Sequence, residues 1–131
     1  QKIKEMNSEC VHVLGPVSNP VELMKLSDAF VLLSSYEGLP IALIEALSVG
    51  CIPICTPVGG IKDIIKSDQN GFLSSDCSEA ECYKTIEKFL NSKASDLELI
   101  RGESKNSYKP LSMDFCGKEY MSMFKKSIKC K

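Results

Sequence analysis

Histidine occurs once in this chain, at His12, and arginine once, at Arg101, while neither C-x-x-C nor G-x-G-x-x-G occurs at all. Each scarcity removes a class of function. A structural zinc needs four well-placed ligands, and one histidine among scattered cysteines does not supply them, so no metal site is expected. Without a glycine-rich word between a strand and a helix, a dinucleotide oxidoreductase has little support. Sixteen basic and 17 acidic residues leave a net charge of -1, which gives no electrostatic footprint for nucleic acid. The clustered bases Lys125, Lys126, Lys129 and Lys131 read as a solvated helix end. Apolar runs stop well short of the ~20 residues of a transmembrane helix, and no basic-then-apolar leader opens the chain, so a cytoplasmic setting is expected. Seven cysteines (Cys10, Cys51, Cys55, Cys77, Cys82, Cys116 and Cys130) are an odd number and suit reduced thiols. Cys51 and Cys55 read as small buried hydrophobes.

What is present is ordinary globular material. The 131 residues, 44% hydrophobic and 25% charged, suit one domain with a respectable core. Strand and helix patterns alternate. CVHVL (10–14) reads as a short strand. NPVELMKLSD (19–28) reads as a helix with an Asn cap and Pro in its first turn. AFVLLS (29–34) reads as a strand covered on both faces, residues 40–49 as a helix closed by Gly50, and CIPICT (51–56) as another buried strand. A short helix over 60–66 and a last strand at GFLSS (71–75) follow. Three helical stretches are then expected, over 78–91, about 95–106 and about 112–128. This alternation predicts an α/β fold, a doubly wound and mainly parallel Rossmann-like sheet followed by C-terminal helices. Ligands of such sheets bind beyond the carboxyl ends of the strands, which puts the turn SSYEG on the functional rim.

The helix that follows this turn poses a problem. In IALIEALSV a single carboxylate, Glu45, stands among apolar side chains, and a buried unpaired charge costs several kcal/mol. Either Glu45 has a partner inside the protein, such as a lysine, or it lines a cavity and meets a ligand. Glu37, with seven residues between it and Glu45, is open to a plain reading as a solvated turn residue. Gly59-Gly60 reads equally as a tight turn or as a helix start that helps hold an anion. His12 suits a core or rim position in a strand, and Asp63 and Asp68 suit a helix end and a loop.

The words HVLGPV, LSDAFVLLSSYEGLPIALIEALSVGCIPICTPVGGIKDII and NGFL run in order from His12 to Leu73. Together they closely resemble the nucleotide-sugar half of the retaining GT-B glycosyltransferases of family four, the glycosyl transferases group 1. The resemblance implies that Glu45 accepts hydrogen bonds from the two ribose hydroxyls of a nucleoside-diphosphate sugar, of UDP or GDP type. It implies that Glu37 is catalytic, touching the transferred sugar near the reacting carbon. Gly38, Leu39 and Ile41 would offer backbone N–H groups to the donor, and Gly59 and Gly60 are weaker donor-binding candidates. No cofactor is implied. The parent would transfer a sugar with retention in polysaccharide, glycolipid or glycoconjugate synthesis, with room for peripheral membrane association.

Two expected parts of such an enzyme do not match: the N-terminal acceptor domain and the basic residues of the first half of the donor domain. The chain opens QKIKEMN, like a helix cut midway. The expectation is therefore a partial C-terminal donor-binding domain over 1–131, with an α/β portion at 1–76 and a helical tail at 77–131. Alone it is expected to transfer no sugar. A non-catalytic nucleotide-sugar-binding or regulatory module of the same fold is the alternative. In the family's strand order, 3-2-1-4-5-6, CVHVL would be the third strand and AFVLLS the fourth. With strands one and two missing, either residues 10–14 pair directly with 29–34, or a second chain does and the fragment dimerises or swaps. Phe115, Tyr120, Met121 and Phe124 recur at helical spacing, and some are expected to lie exposed.

Overall fold

The computed structural model describes residues 10–129. Helix α1 (Pro20–Leu26) leads into strand β1 (Ala29–Leu32), followed by α2 (Ile41–Val49), β2 (Ile52–Cys55), α3 (Ile61–Ile64) and β3 (Phe72–Leu73). Helices α4 (Glu79–Leu90) and α5 (Ala94–Tyr108), a 3-10 turn (Lys109–Leu111) and α6 (Met113–Lys129) follow. Among the described residues the three strands form one parallel sheet in the order β1-β2-β3. The α/β fold with a parallel sheet is thus as expected.

Strand β2 is the centre of the core, with all four of its residues buried. Register explains how its two faces are filled. Ile54 pairs with Phe72, and both join Ile52, Phe89 and Ile100 in one apolar cluster under α4 and α5. The Phe72 and Phe89 rings meet edge to face, with centroids 5.7 Å apart. Cys55 points the other way, as strand alternation requires, and packs with Leu43, Leu47, Ile61 and Ile65. Each fully buried Leu or Ile contributes about 1.5–3 kcal/mol. Gly50 ends α2 in the left-handed region (φ 74°), with Gly50 N–H donating to Leu47 O and Cys51 N–H to Ala46 O, a Schellman closure.

Two expectations fail around β1. Residues 10–14 form no strand, and His12 lies with Val11, Val13 and Leu14 exposed in irregular chain. A β-branched run becomes a strand only where a ladder partner exists, and none of the described residues pairs with it. Direct pairing of 10–14 with 29–34 is therefore absent, and β1 is an edge strand among the described residues. AFVLLS is also not covered on both faces. Phe30 and Leu32 pack on the α2 side, but Val31 is 49% exposed because α4 and α5 lie over β2 and β3 and stop short of it.

The helical tail runs as expected. Its last helix packs chiefly on the 3-10 turn, so Phe115, Tyr120, Met121 and Phe124 are all exposed. NGFL proves to be structural. Asn70 is 7% exposed; its Oδ1 accepts from Lys66 N–H at 2.7 Å, and its Nδ2 donates to Ile64 O at 2.9 Å and Ser107 Oγ at 2.7 Å. At Gly71 a Cβ would meet Pro53 Cγ at 2.7 Å, so the chain there passes too close to β2 for any side chain.

Candidate functional site

Parallel strands end on one side, and here the loops after β1 and β2 are fastened to each other at that rim. Thr56, the residue after β2, donates its backbone N–H to Leu32 O at 3.3 Å and its hydroxyl to Ser34 O at 2.6 Å. Ser34 in turn donates its hydroxyl to Glu37 Oε1 at 2.8 Å. Further along, Gly60 N–H donates to Gly38 O at 2.8 Å. The structure thus brings Glu37 and Gly38 directly against Gly59 and Gly60, four candidates drawn from two separate words of the sequence. Glu37 is half-buried and fixed by a hydroxyl, not a freely solvated turn residue.

The loop feeds α2 through Pro40, whose extended conformation (φ -69°, ψ 128°) stands at the helix entrance. The first bonds of the helix run from Leu43 and Ile44 N–H back to Pro40 O. Among the described residues the N–H groups of Gly38, Leu39 and Ile41 donate to nothing, so they remain available at a helix N-terminus where the dipole favours an anion.

Glu45 stands one turn beyond Ile41 on the same helix face. That face is more open than the apolar sequence implies. Leu43, Ala46 and Leu47 form the buried stripe, while Ile41 is 73% exposed and Glu45 is half-buried. Its carboxylate makes no hydrogen bond or ion pair among the described residues, so the internal lysine partner is absent there.

Other reactive groups are tied up elsewhere. Burial pushes the Cys55 thiol up to about 12, against a weaker opposing hydrogen bond to Leu32, so it stays neutral and is no nucleophile. Arg101 sits at the far end of α2, donating to Gly50 O at 3.3 Å and pairing with Asp28 at 3.5 Å. Among the described residues no three His, Cys, Asp or Glu side chains are grouped to hold a metal, and no helix is long and apolar enough to cross a membrane. Sequence reasoning passed over Ser34 and Thr56. The available signal was a serine three residues before Glu37 and a threonine closing a buried strand.

Comparison with known proteins gives the family and the fold. The family profile of glycosyl transferases group 1 matches residues 1–109. A glycogen synthase of Thermodesulfovibrio yellowstonii is 29% identical over 102 residues, covering 76% of this chain and 20% of that protein. In fold, the chain is similar to the sucrose-phosphate synthase of Thermosynechococcus elongatus, with TM-score 0.80, 16% identity, and 99% of this chain and 33% of that one covered. It is also similar to the C-terminal domain of a glycosyl transferase group 1 family protein from Francisella tularensis, with TM-score 0.64, 21% identity, and 81% and 56% covered. The chain thus spans about a fifth of the glycogen synthase's length.

Proposed function

The chain belongs to the glycosyl transferases group 1, and from that membership we propose that it forms the donor-binding side of a retaining transferase that uses a UDP- or GDP-sugar. The observation that carries this reading is Glu45, the one charged side chain of its helix, with no partner among the described residues. Two neighbouring ribose hydroxyls match its two acceptor oxygens and supply charge-assisted hydrogen bonds. The N–H groups of Gly38, Leu39 and Ile41 face the diphosphate or sugar oxygens, and Glu37 meets the hydroxyls of the transferred sugar.

In the reaction so read, the bond from the anomeric carbon to the β-phosphate oxygen breaks and its electron pair leaves with the diphosphate. The acceptor hydroxyl attacks the same face and gives its proton to the departing diphosphate oxygen. No protein nucleophile is used. The contribution of this chain is position and charge stabilisation. Basic groups for the leaving diphosphate and the acceptor surface come from outside the described residues, and the acceptor belongs to polysaccharide, glycolipid or glycoconjugate synthesis in the cytoplasm, at a membrane surface where the acceptor is a lipid. Calorimetric titration with nucleoside diphosphates and their sugars tests this: ribose-dependent binding that Glu45→Ala abolishes is expected. Equal binding of ribo- and 2′-deoxyribonucleotides by the wild type would defeat it.

A further inference from the structure

We propose that Ser34 is a positioning residue that sets the direction of the Glu37 carboxylate, anchored through Thr56 to the end of β2; the inference rests on the reading of Glu37 as the group that meets the transferred sugar. The connection runs unbroken from core to rim. Thr56 is 1% exposed and cannot move without disturbing the packed sheet. Its hydroxyl holds the Ser34 carbonyl at 2.6 Å, and the Ser34 hydroxyl holds Glu37 Oε1 at 2.8 Å. Behind the loop, Gly60 N–H holds the Gly38 carbonyl at 2.8 Å. The Glu37 side chain and the backbone of the next residue are therefore fixed from two directions.

The division of labour between the two carboxylate oxygens follows. Oε1 is committed to Ser34, while Oε2 has no partner among the described residues and remains an acceptor for a ligand hydroxyl. A loop glutamate without such a brace would order its side chain only when the sugar arrived, and that ordering would subtract from binding. Preorientation by a side chain that never touches the ligand is how functional groups are held within a fraction of an ångström of their working geometry. The same Ser34–Glu37 bond could serve only to brace the loop, so the decisive readout is one that loop bracing does not move.

UDP-glucose, UDP-N-acetylglucosamine, GDP-mannose, UDP and GDP are titrated into the wild-type chain, Ser34→Ala, Glu37→Ala and the double variant, with thermal melts to confirm folding. For whichever sugar nucleotide binds, Ser34→Ala is expected to weaken it on the order of tenfold while leaving the matching nucleoside diphosphate within about twofold. In the Glu37→Ala background, where the Ser34 hydroxyl has no carboxylate to hold, the same change adds nothing, and Ser34→Thr, which keeps the hydroxyl, restores affinity. Equal weakening of sugar nucleotide and nucleoside diphosphate, additive effects in the double variant, or a Ser34→Ala protein that fails to fold would each mark Ser34 as a brace of the loop and overturn the proposal with donor binding intact. A wild type that gains nothing from the sugar removes the Glu37 role and the positioning with it; one that binds none of the five probes removes the donor-binding reading itself.

Discussion

Gly59 faces the backbone carbonyl of Glu37 so closely that a Cβ there would fall far inside the 3.0 Å that real side chains respect, and 2.5 Å from the carbonyl of Gly38. Its backbone is also left-handed, at φ 51°. The second loop is thus a mould for the first.

Gly59→Ala is accordingly expected to act on both stability and binding. The left-handed backbone alone costs an alanine about 1–2 kcal/mol, and the overlap with backbone atoms adds to it because no flexible side chain is there to yield. The neighbouring Gly60→Ala meets Gly38 O at 3.3 Å and ordinary contacts with Leu39, a milder crowding. Denaturant unfolding of the two variants should rank Gly59→Ala well below Gly60→Ala. Equal stabilities would mean that the Glu37 loop moves freely.

Asn70 offers a contrast, because its bonds hold the fold without approaching the rim. Asn70→Ala leaves Lys66 N–H, Ile64 O and Ser107 Oγ without their partner and should cost about 1–3 kcal/mol. Nucleotide affinity of the folded fraction should not change. Urea melts read the first effect and titration the second, and a variant with normal stability and weakened binding would move NGFL into the site.

The alternating apolar runs and turn residues made the α/β order, the central burial of β2 and the three tail helices legible, because parallel strands covered by helices leave an unbroken apolar signature. Glu37, Glu45 and their glycines were legible as words. What the words could not carry was which groups brace which. Ser34 and Thr56 are small polar residues of a kind found in every loop, and their meaning arises only when two loops distant in sequence meet. The CVHVL run misled for the opposite reason: its local preference for strand is real, but a ladder needs a second strand. The sequence leaves Glu45 open between an internal partner and a cavity, since composition reports how apolar a helix is and not how much of it is covered; the structure leaves it half-buried.

The buried thiols set an alkaline limit on stability. Burial raises the Cys55 pKa to about 12 and also raises that of Cys51, against the ordinary 9.0 of an unfolded thiol. Above that unfolded value the unfolded chain releases protons that the folded chain retains, so stability is full below pH 9.0 and falls as pH rises toward 12. Each such thiol contributes a slope of at most about 1.4 kcal/mol per pH unit. Unfolding curves at a series of alkaline pH values should show this decline, and Cys55→Ala should flatten it. At neutral pH a thiol-labelling reagent should modify exposed Cys77 in the native protein and Cys55 only after unfolding. Rapid native labelling of Cys55 would contradict its burial.

Val31 and Ile54 are register partners on adjacent strands, yet one is 49% exposed and the other 1%. The same substitution should therefore have opposite outcomes at the two positions. Ile54→Lys buries a charge among Ile52, Phe72 and Phe89 with no acidic partner in that cluster, and should abolish folding. Val31→Lys places its ammonium in solvent at the outer face of β1, where it takes no member out of either core cluster, and should leave stability within about 0.5 kcal/mol. It should also do more than leave stability unchanged. Among the described residues β1 presents an unpaired edge, flanked by exposed Val31 and Leu33, and such an edge is a template for aggregation unless charge blocks it. Light scattering during a slow thermal ramp should thus begin later in Val31→Lys than in the wild type at equal melting temperature. A variant that melts several degrees lower would show instead that Val31 is covered in the folded chain, and that β1 is not an edge in solution.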